Sequence, residues 1–316
     1  MYYIGIDVGG TNLVAGLVDE KGHILNKVSQ PVDRSMGAQD LCEELARLAQ
    51  KACQTGGVSC EEIEAVGVGL PGLVDNKTGV VVKTTNMAFS NTPFRACFQR
   101  IWNVPVYLGN DANCAAVGEY RVGKVKGCDP VVVVTLGTGI GGGMVANGTL
   151  FTGFANSGME VGHMIIKPNG HQCNCGNQGC WERYGSATAL IQLTQAEMEQ
   201  NKDSVLWELC QGDLQKVEGR TPFQAARQGD SVAKSVLTTY LEGLSVGLVN
   251  LVNVLQPEVI CLGGGISNAD DDLLLEPLRV LVERGTFDKT RPTRIEHTSL
   301  GNDAGVVGAA LLCTMM

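Results

Sequence analysis

Short apolar runs broken by glycine and by polar pairs set the rhythm of the chain from its start. "YYIGIDVGGTNLVAGLVDEKGHIL" predicts strand, glycine turn, strand, polar turn, strand. "PVVVVTLGTGIGGGMVANGTLF" predicts the same order, with Val131 to Thr135 a buried strand and Met144 to Ala146 a second one. The Asn147-Gly148 pair then forms a hairpin turn, because both residues accept positive φ. Two β-meanders whose first turns are rich in glycine and threonine point to a duplicated fold.

Helical spacing of apolar residues predicts helices over Ala38 to Thr55, Ala112 to Arg121, Thr188 to Asn201 and Ser231 to Leu255. The last carries Val236, Leu237, Tyr240, Leu241, Leu244 and Leu248 on one stripe and reads as core. Val104 to Leu108 and Val259 to Leu262 read as further strands. Strands alternating with helices indicate an α/β architecture with largely buried sheets. At 316 residues, two lobes of ordinary size are expected rather than one core.

Composition narrows the function classes. A chain that is 44% hydrophobic and 18% charged is globular. A net charge of −9 disfavours nucleic acid or an anionic membrane as the main partner. No uninterrupted apolar run approaches the ~18 residues that span a bilayer, and the amino terminus lacks the basic region of a signal peptide. A cytoplasmic protein is expected. Of the twelve cysteines, nine, Cys42, Cys53, Cys97, Cys114 and Cys261 among them, are scattered and read mostly as small buried hydrophobes.

Candidate chemistry gathers at four places. The glycine turns at Gly9-Gly10-Thr11-Asn12 and Gly137 to Gly142 offer backbone N–H groups and threonine hydroxyls to a polyphosphate, which a Cβ would hold away. A third run, Gly263-Gly264-Gly265, ends a strand where a base and ribose could lie on bare backbone. Asn110-Asp111 sits between a strand end and a helix start, where the helix dipole keeps a carboxylate ionised. Such an aspartate is often only an N-cap, but at a strand end it could accept a proton from a ligand hydroxyl. Finally, Cys173, Cys175 and Cys180 cluster near histidines and read as a tetrahedral zinc site. Spacing alone leaves His163 and His171 both open as the fourth ligand.

In this order, "DVGGTN" at Asp7 to Asn12, "GLPG" at Gly69 to Gly72, "NDANCAA" at Asn110 to Ala116, "LGTGIGGG" at Leu136 to Gly143, "MEVGH" at Met159 to His163, "CNCGNQGCWE" at Cys173 to Glu182 and "GNDAG" at Gly301 to Gly305 resemble the ROK family of sugar kinases, within the actin-like, hexokinase-type ATPases. The resemblance implies a two-lobed ribonuclease H-like ATPase fold with its active site in the cleft. The lobes would be residues 1–109 plus 301–316, and 110–300 with the zinc loop. The carboxy-terminal segment would return as a helix onto the amino-terminal lobe. The resemblance further implies transfer of the γ-phosphoryl of ATP, with Mg²⁺, to a hexose hydroxyl, glucose being the first choice.

On that template Asp111 is the base. Asn86, Asn110, Glu160, His163 and Glu182 bind sugar hydroxyls, and Gly72 contributes backbone. Asp7, Gly9, Gly10, Thr11 and Asn12 meet Mg²⁺ and phosphates; Gly137, Thr138, Gly139, Gly141 and Gly142 meet phosphates; Gly263 and Gly264 meet the adenosine. The resemblance selects His163 as the fourth zinc ligand. A structural zinc would then clamp Glu160 and Glu182 at a fixed separation, since four protein ligands leave no open position for Lewis-acid work. The departures are Asn12 in place of lysine, Met159 in place of a small residue, and Phe89 in place of tryptophan.

Kinases for N-acetylmannosamine, N-acetylglucosamine or fructose share the family pattern, so the acceptor stays open. The family also holds sugar-responsive repressors with a winged helix-turn-helix ahead of the kinase-like body. A first strand at about Tyr3 and the acidic balance set the expectation against that. Relatives of this kind commonly form dimers or tetramers, and a homodimer is expected, with the Ser231 to Leu255 helix one place for the contact.

Overall fold

A computed structural model describes residues 1–33, 35–84 and 87–315. The chain forms two compact units: Met1–Val133, Gly143–Met159 and the chain from Thr298 onward make the first, and Val134–Gly142 with Glu160–His297 the second.

The strands β1 (Tyr2–Val8), β2 (Asn12–Asp19) and β3 (Ile24–Pro31) form the first predicted meander, followed by helix α1 (Ala38–Thr55). After β4 (Ile63–Leu70) come the short antiparallel strands β5 (Gly72–Asp75), β6 (Val80–Thr84) and β7 (Ser90–Thr92), helix α2 (Phe94–Ile101), β8 (Val106–Asn110) and α3 (Asp111–Arg121). The main sheet has the order β3-β2-β1-β4-β8, with β1, β4 and β8 parallel.

Alternation along β1 sorts its two faces. Ile4, Ile6 and Val8 join Leu41, Leu45 and Ala49 of α1 in one buried cluster. Tyr3 faces the other way, into a cluster with Val306, Val307 and Ala310. Those belong to the carboxy-terminal helix, which returns to the first unit as expected. Its backbone lies directly on the sheet: a Cβ on Gly5 would overlap the Val306 carbonyl, and one on Gly67 the Ala309 carbonyl. Close backbone contact of that kind admits only glycine.

The first unit continues past Gly109, where the sequence reading puts the lobe boundary, because α3 packs on the same carboxy-terminal helix. Cys114 and Val117 of α3 share its cluster. Glu119, buried in α3, accepts hydrogen bonds from the Ser299 and Leu300 backbone at 2.7 and 2.8 Å and so holds the segment that leads into that helix.

The second meander is β9 (Val131–Leu136), β10 (Ile140–Ala146) and β11 (Thr149–Phe151). β10 begins four residues earlier than expected, so Gly141 and Gly142 are strand residues and the turn is confined to Gly137–Gly139. Then follow α4 (Glu182–Gly185), α5 (Ala187–Gln200), α6 (Leu206–Leu209), α7 (Thr221–Arg227), α8 (Ser231–Leu255), β12 (Val259–Gly263), α9 (Leu275–Gly285), β13 (Arg294–His297) and α10 (Ala304–Leu311), the returning helix. The second sheet has the order β11-β10-β9-β12-β13.

Among the described residues α8 is the one helix long and apolar enough to cross a membrane, although Lys234 and Glu242 interrupt its apolar run. It is a core helix of the second unit. Val236, Leu237, Tyr240, Leu241, Leu244 and Leu248 are all buried, and its Leu244 carbonyl accepts the Trp181 indole N–H at 3.2 Å.

Candidate functional site

Asp111 stands where β8 gives way to α3. Asn110 is the N-cap: its side-chain oxygen accepts from the Ala112 and Asn113 amides at 2.9 and 3.4 Å, satisfying donors that a helix start leaves open. Its amide nitrogen donates to the Gly72 carbonyl at 3.2 Å. Asn110 therefore does the capping, although the Asp111 carboxylate also accepts the Ala112 amide, at 2.9 Å. Gly72, the first residue of β5, has φ of 137° and a Cβ there would lie 2.2 Å from the Lys83 carbonyl oxygen, so backbone conformation and close approach both require the "GLPG" glycine.

Strand register brings Asp7 into the same place. Asp7 of β1 is level with Gly69 of β4, and Gly69 with Gly109 of β8. Neither intervening residue has a side chain, and the Cys114 thiol fills the space: Cβ atoms on Gly69 and Gly109 would lie 3.1 and 2.9 Å from its sulfur. Asp7 points to the α10 face, where a Cβ on Gly305 would meet its carboxyl at 2.9 Å. Burial, and then the charge of Asp111, push the Asp7 carboxyl up to about 6. Burial drives the Cys114 thiol well upward, with both aspartates adding to the effect, so it stays neutral beneath them. A buried carboxyl whose ionisation a neighbouring aspartate opposes further suits a site that receives a cation or a proton. Cys114 escaped the sequence reading, which takes it for an ordinary buried hydrophobe; only the register across three strands reveals its position.

The first glycine turn is closed by a hydrogen bond from the Gly9 amide to the Asn12 carbonyl, 3.0 Å, and leaves Gly10, Thr11 and Asn12 exposed. Asn86 lies outside the described residues. Phe89, which stands in place of tryptophan, is a core residue: it is buried and packs edge-on against Phe94 with ring centres 5.5 Å apart. The aromatic series Phe89, Phe94, Phe98 and Trp102 explains its burial.

In the second unit the turn at Gly137–Gly139 meets the end of β12. The Gly137 amide donates to the Gly139 carbonyl at 3.1 Å, and the Gly137 carbonyl accepts from Ala187 at 2.9 Å. Gly264, with φ of 91°, lies against the Leu136 carbonyl, where a Cβ would come to 2.5 Å. The two glycine runs are thus neighbours at one sheet edge. Beside Gly265 opens a cavity of about 370 Å³ lined by Phe223, Gln224, Ile266 and Asn268. Its rim carries Arg227, paired with Asp270 at 2.8 Å and with Asp272.

His163, Cys173, Cys175 and Cys180 bring one ligand atom each within 4.8 Å of one another. Cys175 and Cys180 sulfurs are 3.6 Å apart, and Cys173 Sγ is 3.7 Å from His163 Nδ1. Tetrahedral zinc with bonds of about 2.3 Å to sulfur and about 2.0–2.1 Å to nitrogen has ligand-to-ligand edges of about 3.5–3.8 Å. The four residues fit such an ion. A turn from Cys173 to Gly176, with Gly176 at φ 98°, and a bridge pairing Cys180 with Ile165 hold the loop in that form. His171 is outside the group; its ring lies 5.0 Å from that of Tyr184.

Glu182 borders the cluster. Its Oε1 accepts from the Cys173 thiol at 3.1 Å and lies 3.8 Å from His163 Nδ1. The preceding Trp181 is fully buried over Gly247 of α8, so the carboxylate is carried on an anchored stem. Glu160 precedes the short turn that ends in His163, and its carboxyl is pushed up by burial first, with the Glu182 charge adding. Met159 before it takes φ of 66°, the left-handed region in which side chains are disfavoured.

A duplicated meander that opens each of two five-stranded sheets, strand ends loaded with aspartate or glycine, and a Cys/His cluster flanked by glutamates define an actin-like ATPase fold fitted for small polar ligands. The ROK family model matches residues 3–315, and the chain belongs to that family. It is 35% identical to a glucokinase of Thermotoga maritima over 313 residues, covering 97% of this chain and 95% of that protein. It is 36% identical to a glucokinase of Streptomyces coelicolor, over 97% and 96%. Among solved structures, a ROK family glucokinase from Streptomyces griseus in complex with glucose and AMPPNP matches with a TM-score of 0.84, 34% identity and 99% of both chains.

Proposed function

We propose that the protein transfers the γ-phosphoryl group of ATP to a hydroxyl of a hexose, with glucose the first acceptor to test. The observation that carries this reading is the Asn110-Asp111 corner, where a capped helix start fixes a carboxylate beside Asp7 at the ends of parallel strands. In phosphoryl transfer through a loose transition state the protein mainly positions donor and acceptor and neutralises charge. Asp111 orients the attacking hydroxyl and takes its proton. Asn110, as the N-cap, holds the helix start that carries the Asp111 carboxylate.

Asp7 faces the cation that travels with the nucleotide, and the turn at Gly9, Gly10, Thr11 and Asn12 faces its phosphates. The backbone of Gly137, Thr138 and Gly139 serves the phosphates in the second unit, Gly141 and Gly142 supporting the turn from within β10. The adenosine lies against Gly263 and Gly264, with its base toward the cavity beside Gly265. Glu160 and Glu182 accept from sugar hydroxyls, as do Asn110 and Asn86; hydrogen bonds to charged groups contribute about 1.5–3 kcal/mol each.

His163, Cys173, Cys175 and Cys180 would hold a zinc ion, which supplies a fixed cross-link and no open coordination position. With Nδ1 turned to the cluster, His163 keeps Nε2–H as a donor for a sugar oxygen. The same reading places the enzyme in the cytoplasm as a homodimer. The exposed Val246 and Val254 of α8, with Val280 and Phe287, offer apolar side chains for such a contact; sedimentation of the intact chain reads the oligomeric state.

The deciding experiment is coupled ADP release over glucose, fructose, mannose, N-acetylglucosamine and N-acetylmannosamine. Glucose is expected to give the highest kcat/KM; no release with any of them would end the proposal.

A further inference from the structure

Glycines in a phosphate-facing turn are ordinarily explained by the anion, but Gly139 has a neighbour that explains it otherwise. A Cβ there would stand 2.5 Å from Glu182 Oε2. At the other end of the same carboxylate, Oε1 lies 3.1 Å from Cys173 Sγ and 3.8 Å from His163 Nδ1. By contrast nothing lies within 4 Å of a Cβ built on Gly137, two residues earlier in the same turn. The turn is also held to the Glu182 segment by the bond from the Ala187 amide to the Gly137 carbonyl. All these groups belong to the second unit.

We infer that Gly139 is a positioning residue for Glu182. Its missing side chain admits the carboxylate between the second glycine turn and the Cys/His cluster, so that turn, carboxylate and cluster form one packed unit. The sugar and nucleotide roles used in the test rest on the kinase reading; the contact itself does not. A carboxylate wedged between two such elements transmits displacement from one to the other, because packed contacts shift together rather than deform freely. Binding free energies so coupled are reciprocal. The presence of nucleotide at the turn is therefore expected to change glucose affinity, and glucose to change nucleotide affinity by the same factor.

The test uses zinc-loaded protein and three readouts: glucose affinity by calorimetry without nucleotide, KM for ATP, and the rate of zinc release to a chromogenic chelator. Gly139→Ala is expected to weaken glucose binding about tenfold, the scale that overpacking produces, and to speed zinc release. Glu182→Asp withdraws the carboxylate by one methylene. Adding Gly139→Ala to Glu182→Asp is then expected to change glucose affinity and zinc release less than about twofold, because the two residues act through one contact. A Gly139→Ala protein with raised KM for ATP but unchanged glucose affinity and zinc release would overturn the inference, and so would effects that simply add in the double variant. If the wild-type chain binds no hexose, the kinase reading fails while the zinc-release cycle still decides the contact. Should Gly139→Ala not fold, recovery of folding in the Gly139→Ala, Glu182→Ala double variant supports the inference, and its continued loss overturns it.

Discussion

The two halves of the chain repeat one topology and spend it differently. β3-β2-β1 followed by parallel β4 and β8 has its counterpart in β11-β10-β9 followed by β12 and β13. In the first sheet the strand ends carry Asp7 and the Asn110-Asp111 pair. In the second they carry Gly137–Gly139 and Gly263-Gly264. The scaffold places strand ends at one edge in both cases; the residues installed there make one edge acidic and the other bare backbone. A proton acceptor must be a side chain of suitable pKa, whereas a base or phosphate is best met by N–H groups with no Cβ in the way. On the proposed kinase reading, duplication supplies two positions, and substitution at a few strand ends divides the labour between them.

Removing the acid edge should have the largest effect. Asp111→Asn is expected to lower kcat by about 10³-fold, within the range for general-base removal, while glucose affinity measured by calorimetry stays within a few-fold. Near-normal kcat would show that the first edge has no chemical privilege over the second.

Loss of the Cys/His cluster should rank next. Cys173→Ser, or stripping with a strong chelator, is expected to raise the KM for glucose about 10–100-fold, the usual scale for disturbing groups around a metal, with a smaller change in kcat. Zinc readdition to the chelated wild type should restore it. An unchanged KM together with unchanged thermal stability would reduce the cluster to an accessory of the loop.

How much of this contrast can be read before folding depends on whether it is local. The meanders, α1 and α8 follow from periodicity, and the cysteine cluster from spacing, because each is written within a few tens of residues. The α2 and α9 helices escape the pattern: α2 starts after Pro93 without a side-chain cap, and α9 takes Pro277 in its first turn. The convergence of Asp7, Asp111 and Cys114 is not local at all. It requires β1, β4 and β8 in register and two glycines between the aspartates. The burial of Phe89 is hidden for a related reason, since only the fold packs Phe94 on it.

Asp7 offers a test of the acid edge that reads stability instead of turnover. Its folded pKa of about 6 lies above the ordinary 3.8, so ionising it costs the folded state above pH 6 and costs nothing below about 3.8. Asp7→Asn removes that cost. The variant is expected to be more stable than wild type at pH 7–8 by about 1–3 kcal/mol without nucleotide, with the difference shrinking as pH falls through 6 toward 4. Denaturant midpoints at three pH values check it. A gain independent of pH would mean that packing, not charge, separates the two proteins.

The smallest effect belongs to the glycine edge. Arg227 bridges Asp270 and Asp272 at the rim of the cavity beside Gly265, and all three side chains are well exposed. Exposed ion pairs contribute little, because solvent and salt screen them. Yet this one joins α7 to the segment that follows the glycine run, and those two walls define the width of the cavity. Arg227→Ala is therefore expected to raise the KM for ATP about two- to five-fold while leaving the KM for glucose and kcat unchanged. The wild-type KM for ATP should drift the same way with added salt, and the variant's should not. A change in the glucose KM instead would mean that the rim acts on the sugar residues of its own unit, and the division of labour between the two edges would need redrawing.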